Sequence, residues 1–341
     1  MSVRIIKCVV WDLDRTLWHG VAAESDDAGL NPGVRAAVTA LDAAGVLQSV
    51  ASRGDEELAL AALGRLGMAD YLLFPQINWG DKDKSLIRIA EKLNLGLDSL
   101  VLVDDDPYER GQVAAALPQV ETIAPDELGA LVAKVGRQPT TPEAGNRRAL
   151  YQVEHSRSEA ERRSGLSPQA WADQLGLEFT VRQLRSEDLE RARELAVRTH
   201  QLNTTGITYS AGELRRLRGD PDHLVLAASL RDRFGDYGTI GLAVVQTTSD
   251  VWILTLLLTS CRVVSRGAGS LLLGDVQRRA AAAGARLEAE MVPTERIRMM
   301  TVALRLAGFQ TSTDRRHGHL VLLAPATPPQ PPRHVTVRSE P

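Results

Sequence analysis

Over residues 1–135 the chain alternates short apolar runs with segments of helical period, and this constrains the fold more than any other feature. IIKCVVW, VLQSVAS, YLLFPQ, SLVLVDD and VETIA read as strands. PGVRAAVTALDAAG, DEELALAALGRLG, KSLIRIAEKLN and YERGQVAAALP read as the helices between them. Pro32 suits a first helical turn and Gly67 a helix end. Strands alternating with helices build a parallel sheet with helices on both faces. Apolar runs of this kind fit strands covered on both sides.

The text then changes character. Residues 136–175 are expected to be a linker: GRQPTTPEAGN is polar and carries Pro and Gly, and RRALYQVEHSRSEAERR reads as a charged, exposed helix. A second domain is expected over 176–325. LEFTVRQL opens it as a strand, and SEDLERARELAVRTHQL follows as a helix with Ser186 as N-cap. HLVLAASL, GTIGLAVVQTT and VWILTLLLTS read as antiparallel strands, with FGDYG as the first turn. GAGSLLLGDVQRRAAAAG, RLEAEMV and TERIRMMTVALRLAG add helix, strand and helix. Residues 326–341, rich in Pro, are expected to be a disordered tail. No internal repeat is visible.

Composition narrows the function classes. The chain has 341 residues, 44% of them hydrophobic, and a net charge of −3. Nothing here offers nucleic acid a basic field. The longest apolar run, VWILTLLLT, is far below the ~18 residues of a membrane-spanning helix. The first residues lack the long apolar core of a signal peptide. Two distant cysteines, Cys8 and Cys261, make no disulfide framework, so a cytoplasmic setting is expected.

Ligands of parallel α/β sheets sit beyond the carboxyl ends of the strands. The chemistry-bearing residues of the first domain fall there. Asp12 and Asp14 end the first strand, Ser52 and Arg53 the second, and Asp104 and Asp105 the fourth; Lys82 follows the third. Carboxylates so close together need a counter-charge, which a hard cation such as Mg²⁺ supplies while also binding substrate phosphate. One carboxylate can then attack phosphorus, and a second, two residues on, can serve the leaving oxygen and the water. A hydroxyl and an ammonium can hold the phosphoryl oxygens.

The series D-x-D-x-T, S, K, DD resembles the four motifs of the haloacid dehalogenase (HAD) phosphatase superfamily in order, spacing and strand context. The resemblance implies that Asp12 is the nucleophile and Asp14 the general acid/base. It implies that Ser52 and Lys82, with Arg53 beside them, bind phosphate. Asp12, Asp104, Asp105 and the Asp14 backbone carbonyl would hold Mg²⁺. The spacing between motifs leaves no room for a folded cap, so the site is expected to be open, with the second domain or a partner as candidate lid. Trp18, Trp79 and Tyr108 follow three of the motifs and either line the rim or pack.

The second domain has the order of elements of an N-acetyltransferase-like (GNAT) fold. Its ligand loop would be RVVSRGAGS, with Arg262, Ser265 and Gly267; Ser265 stands where glycine is usual. Together the halves resemble FkbH-like HAD proteins of polyketide pathways, through LDRTLWHGV, INWGDK, VDDDPYER, RTHQLNTT, DRFGDYG and LLTSCRVVSRG. That family implies loading of a phosphoglyceryl unit, its dephosphorylation and transfer to an acyl carrier protein. This chain departs from it at Ala51, where the transferases carry a cysteine before the serine, so no thioester forms there. The expectation is therefore an α/β protein: an uncapped HAD domain that hydrolyses a small phosphorylated unit, followed by a GNAT-like domain. The alternatives are an acyl transferase serving an acyl carrier protein, using Cys261 or direct transfer, and a non-catalytic docking module. His200 and Asn203 are further candidates in the second domain.

Overall fold

The computed structural model describes residues 5–21, 29–138, 144–199, 203–260, 263, 266–292, 298–316 and 318–340. The chain divides into two compact units, Met1–Gln152 and Val153–Pro341.

The first unit contains five strands: β1 (Cys8–Trp11), β2 (Leu47–Ser52), β3 (Gln76–Ile77), β4 (Leu100–Val103) and β5 (Glu121–Ile123). They form one sheet in the order β3-β2-β1-β4-β5, parallel throughout. Helices α1 (Val34–Ala43), α2 (Glu56–Arg65), α3 (Lys82–Leu93), α4 (Pro107–Ala116) and α5 (Leu128–Gly136) follow the strands in turn. Two apolar clusters form the core. One gathers Val9, Trp11, Leu41, Val50 and Leu131. The other gathers Cys8, Val10, Leu86, Ile89 and Leu102. Alternate β1 side chains thus enter opposite clusters, which is why the run is apolar at every position.

The expected strand YLLFPQ is reduced to Gln76–Ile77. Phe74 adopts a left-handed φ of 52°, and Pro75 has no amide to give a ladder. Leu72 still bridges Gln48. Helix α5, which the sequence reading left out, packs Leu131 and Val135 into the core.

A helix α6 (Arg147–Ser164), in the segment expected to be a linker with a helix, carries the division between the units. It is not the exposed helix its charge suggests. In the first unit, Arg147 donates to the Gly45 carbonyl at 2.5 Å, and Tyr151 joins the core. In the second unit, Arg157 is only 2% exposed. It forms a two-pronged pair with Asp232 at 2.7 and 2.9 Å and lies 3.9 Å over the Tyr237 ring. Charge predicts exposure only where no buried counter-charge waits.

In the second unit, α7 (Pro168–Leu175) precedes β6 (Leu177–Gln183). Then come α8 (Leu189–Arg198), α9 (Ala211–Arg218), β7 (His223–Asp232), β8 (Gly235–Gln246) and β9 (Val251–Thr259). The chain continues through α10 (Ala268–Ala282), β10 (Arg286–Met291), α11 (Arg298–Leu306), β11 (Gln310–Arg316), β12 (His319–Leu323) and β13 (Val335–Ser339). The eight strands form a mixed sheet, β11-β12-β10-β9-β8-β7-β6-β13. The β7–β8 turn is tighter than expected: Arg233 and Phe234 alone separate the strands, and Asp232 accepts the amides of Phe234 and Gly235.

Residues 326–341 were expected to be disordered. Instead, Val335–Ser339 adds a parallel edge strand to β6, from Val335 opposite Leu177 to Ser339 opposite Val181. The Pro-rich composition hid a short V-T-V alternation that finds an open sheet edge. Among the described residues no helix is long and apolar enough to cross a membrane.

Candidate active site

The register of the parallel sheet builds the site of the first unit. Trp11 lies opposite Val103 on one side and Val50 on the other. One residue further, Asp12 therefore falls beside Asp104, and beside the end of β2 where Ser52 sits. The Asp12 amide donates to the Val103 carbonyl at 2.9 Å, which carries the extended backbone just past the strand. Asp81 and Asp106 stand at the N-caps of α3 and α4, so the loops after β3 and β4 turn directly into helices, with Lys82 as the first residue of α3. Asp106 accepts the Tyr108 amide at 2.8 Å, and Pro107 opens the helix.

These elements bring Asp12, Ser52, Lys82 and Asp104 into contact. One carboxylate oxygen of Asp12 accepts from the Ser52 hydroxyl at 3.0 Å and from the Lys82 ammonium at 2.7 Å. Lys82 also donates to Asp104 at 2.5 Å. Asp104 is fully buried, and its other oxygen accepts the Asp106 amide. Thr16 fixes Asp105 from two sides: its hydroxyl accepts the Asp105 amide at 3.0 Å and donates to the carboxylate at 3.2 Å. The Asp14 carboxylate accepts from the Trp18 indole at 2.7 Å.

Oxygens of Asp12, Asp104 and Asp105 all lie within 4.8 Å of one another. Three carboxylates facing one ammonium leave an excess of two negative charges. That oxygen-only donor set fits a hard divalent cation. The Asp14 side chain is not in this cluster. The protonation equilibria reflect the crowding. Burial pushes Asp12 up to about 6; the Asp104 charge adds to this, and Lys82 and Ser52 oppose it. Burial pulls Lys82 down, but the Asp12 and Asp104 charges outweigh it and leave its pKa raised. Lys82 is therefore a fixed cation.

The acids line a cavity of about 490 Å³ that also takes in Arg15, Arg53, Val21 and Glu109. Arg53 does not reach Asp12: its guanidinium pairs with the buried Glu109 at 3.2 Å. Trp18 is fully buried, not a rim residue, whereas Trp79 and Tyr108 are 78% and 67% exposed. Trp18 packs, as one of its two expected alternatives had it, and also holds Asp14; Thr16 and Glu109 are supports to which the sequence reading gave no role. Their signal was adjacency to the acids, which by itself does not say where a side chain points.

Ala51 and Cys8 are both fully buried. Burial pushes the Cys8 thiol well above its ordinary value, so it supplies no thiolate.

Among the candidates of the second unit, His200, Cys261, Arg262 and Ser265 lie outside the described residues. Gly267, with a left-handed φ of 67°, precedes the first residue of α10 and lines a separate cavity of about 500 Å³ with Trp171, Leu175 and Val335. Asn203 is fully buried, and its side chain is used within its own loop. It accepts the amides of Thr205 and Gly206 and donates to the Ile207 carbonyl. Beside it, Thr204 bonds Leu257 through both its amide and its hydroxyl, and its carbonyl accepts the Val292 amide. The parallel pairing of β9 with β10 runs only from Val251–Arg286 to Leu254–Ala289. Beyond that point, Thr204 hydrogen-bonds to both strands' continuations.

No protein-family model and no curated protein matches the chain. It is similar to several solved structures, each over less than half its length. The N-terminal part of BF1531 from Bacteroides fragilis, containing a phosphatase domain complexed with Mg, is 26% identical over 40% of this chain and 42% of that one, with a TM-score of 0.35. This chain thus spans under half of that structure. The ribosomal-protein-S18-alanine N-acetyltransferase of Escherichia coli is 18% identical over 42% of this chain and 90% of its own, with a TM-score of 0.34. The GNAT domain of S. lividans PAT is 20% identical over 42% of this chain and 88% of its own, with a TM-score of 0.33.

Proposed function

We propose that the first unit is a HAD-type phosphohydrolase working through an aspartyl-phosphate on Asp12. The observation that carries this reading is the single Asp12 oxygen held by Ser52 and Lys82 beside two further carboxylates. An unpaired buried carboxylate would protonate. Here it sits among groups that keep it ionised and aimed.

In the first step an Asp12 oxygen attacks phosphorus and the bond to the leaving alkoxide breaks. Asp14, protonated, gives that alkoxide its proton. Ser52 and Lys82 hold the phosphoryl oxygens as charge builds on them. In the second step the Asp14 carboxylate takes a proton from water, which attacks the phosphoryl phosphorus and frees Asp12. The Trp18 indole keeps Asp14 from rotating away. Asp12, Asp104 and Asp105 would hold Mg²⁺, kept in place by Thr16, and the ion supplies charge neutralisation at the phosphoryl group.

The substrate we propose is a small phosphorylated acyl unit, presented on an acyl carrier protein, in the cytoplasmic biosynthesis of a polyketide-like product. The FkbH-like segments of both halves support this. Buried Ala51 favours hydrolysis over loading of a thioester at that position. Soaking crystals with Mg²⁺ and fluoroberyllate should place the adduct on Asp12 Oδ, with Asp12→Asn abolishing it. An adduct elsewhere, or full phosphatase turnover by Asp12→Asn, rejects the assignment.

A further inference from the structure

The cavity around Asp12 holds more than a phosphoryl group requires. Its volume of about 490 Å³ is that of a whole small-molecule site. Three cations line it: Arg15, Arg53 and Lys82. Lys82 is held between Asp12 and Asp104, and Arg53 is paired with Glu109. Arg15 is exposed, and among the described residues its guanidinium has no hydrogen-bond or ion-pair partner.

The backbone of Arg15 is the second observation. Its φ is 57°, in the left-handed region that residues other than Gly, Asn and Asp rarely enter. The conformation is enforced from outside. The Asn31 amide donates to the carbonyls of Arg15 and Thr16, each at 2.9 Å, and the Arg15 amide donates to Gly20 at 3.0 Å. A turn of this shape, directly after Asp14, suits Gly or Asn better than a long cationic side chain. The chain nevertheless puts its one uncommitted cation, among the described lining residues, at a cavity crowded with acids.

We propose that Arg15 binds the anionic remainder of the substrate, so that the site selects phosphate monoesters carrying a second negative charge, a carboxylate or another phosphate. This rests on the phosphohydrolase reading. A neutral leaving portion would leave the guanidinium nothing to pair with; an anionic one gains a charge-assisted contact and escapes unopposed repulsion from the acids.

Kinetics with near-isosteric monoesters and Mg²⁺ test it. 2-Phosphoglycolate carries a carboxylate where 2-hydroxyethyl phosphate carries a neutral hydroxymethyl group; ethylene glycol bisphosphate carries a second phosphate. The full-length protein should prefer at least one anionic ester over the neutral one by about tenfold or more in kcat/KM. Which anion it prefers identifies the source of the charge. Arg15→Asn should bring that ratio close to one and leave the melting temperature equal or higher, because the turn is relieved; Arg15→Lys should keep part of the preference. Equal losses on charged and neutral esters, or a wild type that does not discriminate, overturn the Arg15 proposal while leaving the phosphohydrolase reading intact. Turnover of none of the three esters overturns the Arg15 proposal; joined with the lack of a fluoroberyllate adduct on Asp12, it sinks the phosphohydrolase reading as well.

Discussion

Both units bury charge at the ends of their strands, but they resolve it differently. In the second unit, Arg157 and Arg266 face Asp232 and Glu154 in a closed set. Asp232 takes both prongs of Arg157, Glu154 takes Arg266 at 3.0 Å, and the Tyr237 hydroxyl donates to Asp232. Positive and negative charges match in number, although the buried Arg266 Nε has no hydrogen-bond partner among the described residues. In the first unit, three carboxylates have oxygens within 4.8 Å of one another, and the one ammonium there pairs with two of them. The difference separates structure from site: a balanced buried cluster holds the fold, and a deficit of two charges beside an open cavity calls for a divalent ion. Burial first, and the Asp104 charge after it, hold the Asp12 pKa above its ordinary value.

The comparison breaks most visibly at its two central residues. Asp12→Asn should lower kcat by about 10⁴-fold or more with little loss of stability, since the proposed nucleophile has no substitute and a neutral amide there relieves crowding; steady-state assay alongside thermal melting checks both halves. Arg157→Ala should do the reverse. It strands the buried Asp232 and should cost about 3–5 kcal/mol in chemical denaturation. Replacing Arg157 and Asp232 together by Met and Leu should recover most of that loss.

Acidity gives an intermediate effect. The Asp12 pKa in the fold, about 6, lies above its ordinary 3.8. In the metal-free protein this group therefore favours the fold at pH below about 4 and increasingly opposes it as pH rises through 6. A divalent cation favours the ionised form, so metal and proton compete. Mg²⁺ affinity, measured by its upward shift of the melting temperature, should weaken by up to about tenfold per pH unit below 6. A shift independent of pH would mean that Asp12 is not a ligand. The smallest effect is expected from Thr16→Val. Losing both bonds to Asp105 should weaken Mg²⁺ binding by about tenfold without unfolding the chain. An unchanged affinity would show that Asp105 orients itself.

The alternation of the first half was sufficient to make its sheet parallel and to put candidate ligand positions at its strand ends, because each element there is local; the strand order came from the fold. Where the reading failed, the deciding contact was distant in sequence. Helix α6 looked exposed because its counter-charge, Asp232, lies 75 residues away. The tail looked disordered because the edge it joins, β6, precedes it by more than 150 residues. The fold also shows what adjacency to Ser52 could not: Arg53 lines the Asp12 cavity and pairs there with Glu109.

The sequence by itself determined which residues stand at the strand ends, since period and punctuation are written locally, and so it placed Asp12, Asp14, Ser52, Lys82, Asp104 and Asp105 on one edge. Tertiary structure alone decided which charges are balanced. Pairing depends on register across strands and on helices arriving from elsewhere, and it left the Asp12 cluster short of cations, the Arg15 guanidinium without a partner among the described residues and Arg157 paired with Asp232.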